Sequence, residues 1–170
     1  AADDGTGGNN NFHYMAINPA DRLHLYMYEG AEEYVLTGSP LLRDPSAWYH
    51  LVVAFDTTQG TDTNRIKMYI NGSQVTSFTT TNYPSQNHQT RYNNNNAQRI
   101  GSYPDQDQSY FDGYMAEYHL VDGQQLTPSD FGKFDNNNEW VPIKYEGSYG
   151  TNGFYLEFKQ TGTDADASGI

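Results

Sequence analysis

The chain of 170 residues carries 21 acidic against 9 basic side chains, a formal charge of −12, and no cysteine. That balance excludes nucleic-acid binding, which needs the opposite sign to displace counterions from phosphate, and it disfavours anionic membrane surfaces. Disulfide frameworks and thiolate metal sites are excluded with the cysteines, and no run of about 20 apolar residues is present to cross a membrane as a helix.

Apolar residues are 36% of the chain and aromatic ones 15%, with 15 tyrosines. One domain is expected, with a core that relies on rings as much as on aliphatics, because a tyrosine ring can be covered while its hydroxyl stays wet. Residues 1–11 are Gly, Asn and Asp and read as a lead-in loop; they have neither the basic nor the apolar region of a signal peptide. A strand is predicted over 12–17, then a turn at Asn18-Pro19-Ala20-Asp21. The next strand, 22–28, alternates Leu23, Leu25 and Met27 against His24, Tyr26 and Tyr28. Glu29-Gly30 turns the chain into a short strand over 33–36. In 48–55 both alternating sets are apolar except for His50, so that strand is expected to be covered on both faces. A polar loop, 56–64, leads to the clean alternation of 65–70. Asn71-Gly72 then supplies the two positive-φ residues of a type I′ hairpin turn, with the return strand at 75–78.

Residues 79–98, rich in Asn, Thr, Gln and Ser, read as an irregular crossing over the sheet edge. A short strand follows at 98–101, a polar loop at 102–110 and a long strand at 111–121. Thr127 as N-cap, Pro128 at the first helical position and Gly132 as a stop predict one helical turn, the only helix expected. Trp140-Val141-Pro142-Ile143 reads as an extended anchor, 154–158 as a last strand and 161–170 as a linker. Many short strands, almost no helix and no period of 20 to 50 residues indicate an all-β sandwich or barrel.

The segments DPSAWYHLVVAFDTTQ (44–59), NRIKMYINGSQVTSF (64–78), RIGSY (99–103) and YFDGYMAEYHLVDGQQLTPSDFG (110–132) resemble the laminin-G-like branch of the concanavalin A-like lectin/glucanase superfamily. Within it they are most similar to modules of marine bacteriophage structural proteins. The resemblance implies a jelly-roll β-sandwich of two antiparallel sheets over 1–132, with a C-terminal extension over 133–170 that adds one more strand and a linker. It also implies opening strands upstream of residue 12, where none is predicted; they would be absent, unresolved or supplied by another chain, the sequence then being a piece of a larger protein or completed by strand addition from a neighbour. The function implied is a non-enzymatic virion module on a tail fibre or capsid surface. Its partners would be host-surface glycans or neighbouring virion proteins, with a homo-oligomer open. The alternative is a secreted or cell-surface lectin or carbohydrate-binding module. The corresponding locations are the virion surface or the extracellular space, with no membrane insertion.

Candidate sites follow from residue chemistry. Glycoside hydrolysis needs two carboxylates about 5 Å apart across a sugar. Glu29, Glu32 and Glu33 cluster around a turn instead, and Glu117 stands alone on its strand, so no enzyme is expected. His13, His24, His50, His88 and His119 show no metal-ligand spacing. Asp105 and Asp107, two apart in a polar loop, with Asp56 from an adjoining loop, would suit Ca2+, which prefers oxygen ligands; with no full calcium-loop motif, a solvated acidic loop is the simpler account of them. Tyr83, Tyr92 and Tyr103 with Asn94 would form an aromatic platform ringed by amides for a sugar if they meet at one loop end. The same rings would otherwise cover the sheet edge.

Overall fold

The computed structural model describes residues 1–3, 11–93, 96–103 and 110–158. Its frame is a six-stranded sheet in the order β8-β4-β3-β2-β1-β9, all of whose ladders are antiparallel. Here β1 is Ala2–Asp3, β2 Asn11–Ile17, β3 Leu23–Glu29, β4 Glu32–Gly38, β8 Phe78–Asn82 and β9 Ala97–Gln98. A three-stranded sheet is formed by β5 (Leu51–Phe55), β6 (Ile66–Ile70) and β7 (Ser73–Gln74). Two short ribbons complete the set: β10 (Tyr118–Leu120) with β13 (Phe154–Leu156), and β11 (Gly132–Phe134) with β12 (Trp140–Pro142). The chain is thus all-β and antiparallel as expected, but the strands of its described residues are divided among four sheets, none closed as a barrel.

The core sits where alternation places it. Leu23, Leu25 and Met27 are at most 1% exposed, and with Tyr34 and Leu36 they form one cluster with Ile66 and Met68. Leu51, Val53 and Phe55 of β5 pack against the same cluster. Just before β5, His50 meets Trp140, the two rings lying 5.4 Å apart. The Trp140 ring also roofs the hairpin turn, where Asn71 (φ +47) and Gly72 (φ +78) hold the expected left-handed conformation. A Cβ on Gly72 would overlap the Trp140 ring, so glycine serves both backbone and packing there. The extension past residue 132 therefore supplies β12, β13 and the ring packed on His50 and the Asn71-Gly72 turn.

Four expectations are corrected. The strand expected over 48–55 begins at Leu51, and Trp48 is 67% exposed. Its partner β6 ends at Ile70, and an Asx turn at Asp44, accepting from the Ser46 N–H at 2.9 Å, takes the residues before it. The return strand after Gly72 is two residues long; the chain then crosses to the large sheet, where β8 pairs with β4. Of the strand expected over 111–121 only β10 forms, because its partner β13 is three residues long; Tyr114 is 88% exposed. The turn at Pro128–Asp130 is a 3-10 turn closed by Asp130, which accepts from the Thr127 N–H at 2.9 Å, and a second such turn occupies Asp62–Asn64.

Candidate functional site

The register of β2, β3 and β4 gathers rings on the face of the large sheet that turns away from the core. Phe12 lies opposite Tyr28, Tyr14 opposite Tyr26 and Ala16 opposite His24. Tyr28, Tyr26 and His24 in turn face Glu33, Val35 and Thr37 of β4. Centroids are 5.5 Å apart for Tyr14–Tyr26, 5.7 Å for Tyr14–His24 and 5.6 Å for Phe12–Tyr28. The polar ends are held in place: the Tyr26 hydroxyl donates to Glu33 at 2.8 Å, and His24 Nδ1 meets the Thr37 hydroxyl at 2.9 Å. Burial, then the Glu33 hydrogen bond, raise the Tyr26 pKa, and burial lowers that of His24, so both are neutral at physiological pH. Tyr103 adds a ring from outside these strands, tilted against Tyr14 at 5.2 Å and edge-on to Phe12 at 5.6 Å.

A charged knot closes the opposite, inner face at the β3–β4 turn. Glu29 receives Arg91 through Nε at 3.1 Å and Nη2 at 2.8 Å, and His13 Nε2 at 2.7 Å. The Arg91 backbone N–H donates to His13 Nδ1 at 3.2 Å, so Nε2 must carry the ring proton and donate to Glu29. Burial pushes the His13 pKa down to about 4 against the opposing pull of Glu29. For Glu29 burial works against ionisation, but the Arg91 and His13 hydrogen bonds outweigh it and the net pKa is lowered. His88 Nε2 lies 3.9 Å from Glu29, buried and without a hydrogen-bond partner among the described residues.

His13, Glu29 and His88 bring three possible ligand atoms within 4.8 Å of one another, so the cluster could hold a metal ion. Two imidazoles and one carboxylate are a donor set for zinc and its neighbours, whereas calcium takes six to eight oxygens. In the arrangement seen, the His13 Nε2 proton and the Arg91 guanidinium already occupy the Glu29 oxygens. The set fits a metal only once Arg91 withdraws.

The residues singled out from sequence are scattered. Tyr83 and Tyr92 pack against the core cluster, Tyr92 with its ring 5.7 Å from His13 and its hydroxyl buried and unpartnered among the described residues. Tyr103 lies on the outer face, so the three rings do not share one surface. Asn94, Asp105 and Asp107 fall outside the described residues. Asp56 is committed to its own loop: Oδ1 accepts from the Thr58 N–H at 3.1 Å and hydroxyl at 2.6 Å, and Oδ2 from Gln59 at 2.6 Å. Those bonds, led by the Thr58 hydroxyl, lower its pKa. The outer ring face was signalled by the alternation His24, Tyr26, Tyr28. The Glu29–Arg91 knot had no signal, because its members are 62 residues apart.

Residues 1–132 match the family model described as the concanavalin A-like lectin/glucanases superfamily. The chain belongs to that superfamily. No curated protein and no solved structure matches it. As a concanavalin A-like domain it is lectin-like, in a superfamily whose members include both lectins and glucanases. Among its described residues no helix is long and apolar enough to cross a membrane.

Proposed function

We propose that this domain is a non-enzymatic carbohydrate-binding module whose site is the outer face of β2, β3 and β4. One observation carries the reading: Tyr14, His24, Tyr26 and Tyr28 line a sheet face opposite the core, with Glu33 and Thr37 in register beside them. Sugar rings stack their C–H faces on such aromatics while hydroxyls bond to the flanking polar groups, the mixed lining expected of a small-molecule site. The carboxyl groups with displaced pKa, Glu29, Asp44 and Asp56, are all displaced downward, the opposite of what a general acid for glycoside cleavage requires.

A glycan array followed by calorimetry tests this. Tyr14→Ala combined with Tyr26→Ala is expected to abolish detectable binding while the fold persists. Unchanged affinity in the double variant, or turnover of the bound glycan, would refute it. A calcium ion held by Asp105 and Asp107 belongs to the same reading; its test is loss of binding in EDTA and recovery on adding Ca2+. The virion setting is a second reading that rests on the resemblance of segments 44–59, 64–78, 99–103 and 110–132 to modules of phage structural proteins. Absence of the protein from purified particles would end it.

A further inference from the structure

The knot around Glu29 contains one group that its hydrogen bonds do not use. His88 lies on the crossing between β8 and β9, just after Asn87, whose φ of +62 turns the chain there. Its side chain is 13% exposed, and its ring packs edge-on against Tyr34 at 4.9 Å. The Nε2 atom is sealed from solvent 3.9 Å from Glu29 Oε1, with no hydrogen-bond partner among the described residues. A phenylalanine would fill the same space without burying an unpaired nitrogen, which folding penalises. At that distance the nitrogen and the carboxylate are too far apart for a hydrogen bond and close enough to share a cation. Zinc bonds of about 2.0–2.1 Å at a tetrahedral angle place ligand atoms about 3.4 Å apart. That value falls between the 2.7 Å of His13 Nε2–Glu29 Oε1 and the 3.9 Å of His88 Nε2–Glu29 Oε1.

A cation already sits on this carboxylate. The Arg91 guanidinium donates to Oε1 and to Oε2, so it and a metal ion compete for the same oxygens. A metal on His13 Nε2 would also send the ring proton to Nδ1. There it would face the Arg91 backbone N–H, now 3.2 Å away, donor against donor. Arg91 therefore has to leave with its backbone as well as its side chain. Its carbonyl, which accepts from Gln98 Nε2 at 2.9 Å, moves with it.

We propose that His13, Glu29 and His88 form a site for Zn2+ or a similar transition-metal ion, with Arg91 as the built-in cation that the metal displaces. The three ligand atoms lie within 4.8 Å of one another. Two imidazoles and one carboxylate leave a fourth position for water, and they are a poor set for calcium. Glu29 is 19% exposed, which gives the ion an entry. The exchange replaces a single positive charge by a double one in a chain of charge −12, which favours it electrostatically. His88 then ties the crossing to β2 and β3 in place of Arg91. The site lies on the inner side of the large sheet, so it stands whether or not the outer face binds sugar.

The full chain is titrated with Co2+, read by the visible bands of a four-coordinate ion, and with Zn2+, read by calorimetry. The parent, His88→Phe and Arg91→Met are compared. The parent is expected to bind, Arg91→Met to bind about tenfold more tightly or better because the competitor is gone, and His88→Phe to lose the ion. Phenylalanine keeps the contact with Tyr34, so His88→Phe should melt no lower than the parent and its loss of binding is not unfolding. A large excess of Ca2+ should leave the Co2+ bands unchanged. Should Arg91→Met fail to fold, the parent and His88→Phe decide alone. No binding by the parent at millimolar metal would overturn the inference. So would binding retained in His88→Phe, parental affinity in folded Arg91→Met, or displacement of Co2+ by Ca2+.

Discussion

The two faces of β3 share one backbone and differ in everything else. Leu23, Leu25 and Met27 are sealed in one buried cluster with Ile66 and Met68 of β6. His24, Tyr26 and Tyr28, one residue out of step, are half-buried and end in polar atoms fixed by neighbours on β4 or the turn. The inner set is dictated by close packing, where loss of a methylene is felt. The outer set is not needed to stack the sheets, so its choice of rings points to recognition.

The largest effect that sharpens this contrast is on the inner face. Leu25→Ala should cost about 3 kcal/mol of stability, the lost transfer energy plus a cavity, measured by denaturant unfolding. The contrast breaks if Tyr26→Ala on the outer face costs as much.

A smaller effect is a dependence on acid. His13 titrates at about 4 in the folded chain against 6.5 when unfolded, so between those values the unfolded chain binds the extra proton. The stability from this group is complete above pH 6.5 and is lost as the pH falls toward 4, by at most about 1.4 kcal/mol per pH unit. Burial lowers the pKa of His24, His50 and His119 in the same sense. The Glu29 contribution is lost at still lower pH, since its folded pKa lies below the usual carboxylate value. Unfolding midpoints followed from pH 7.5 to 4.5 should decline steadily; a flat profile would mean that His13 is not held neutral between Glu29 and Arg91.

The smallest effect concerns Trp48. At 67% exposure its replacement by alanine should move stability by less than about 0.5 kcal/mol, although the sequence places it in the most apolar run of the chain. A loss of several kcal/mol would return it to the strand.

Period-two patterning was enough to locate β3 and β6, because a strand with one buried face must alternate. Asn71-Gly72 fixed the hairpin because few other residues accept its backbone conformation. The same logic failed over 48–55 and 111–121, where apolar residues continue past the point at which a partner strand ends. A strand exists only as far as its hydrogen-bonding neighbour does, and that neighbour is remote in sequence. The candidate sites divide in the same way. The outer ring face could be read from alternation, whereas Tyr83 and Tyr92 looked available for a ligand and are turned toward the core. The Glu29–Arg91 knot joins residues 62 positions apart.

The order of residues alone determined the class of fold, the strands with one greasy side and the tight turn between β6 and β7. Tertiary structure decided which strands of the described residues meet in which sheet, that Trp140 of the C-terminal segment packs on His50 and the Asn71-Gly72 turn, and which rings share a surface. Local preference acts within a few residues of the chain, whereas a shared surface is made by segments brought together only when the core closes.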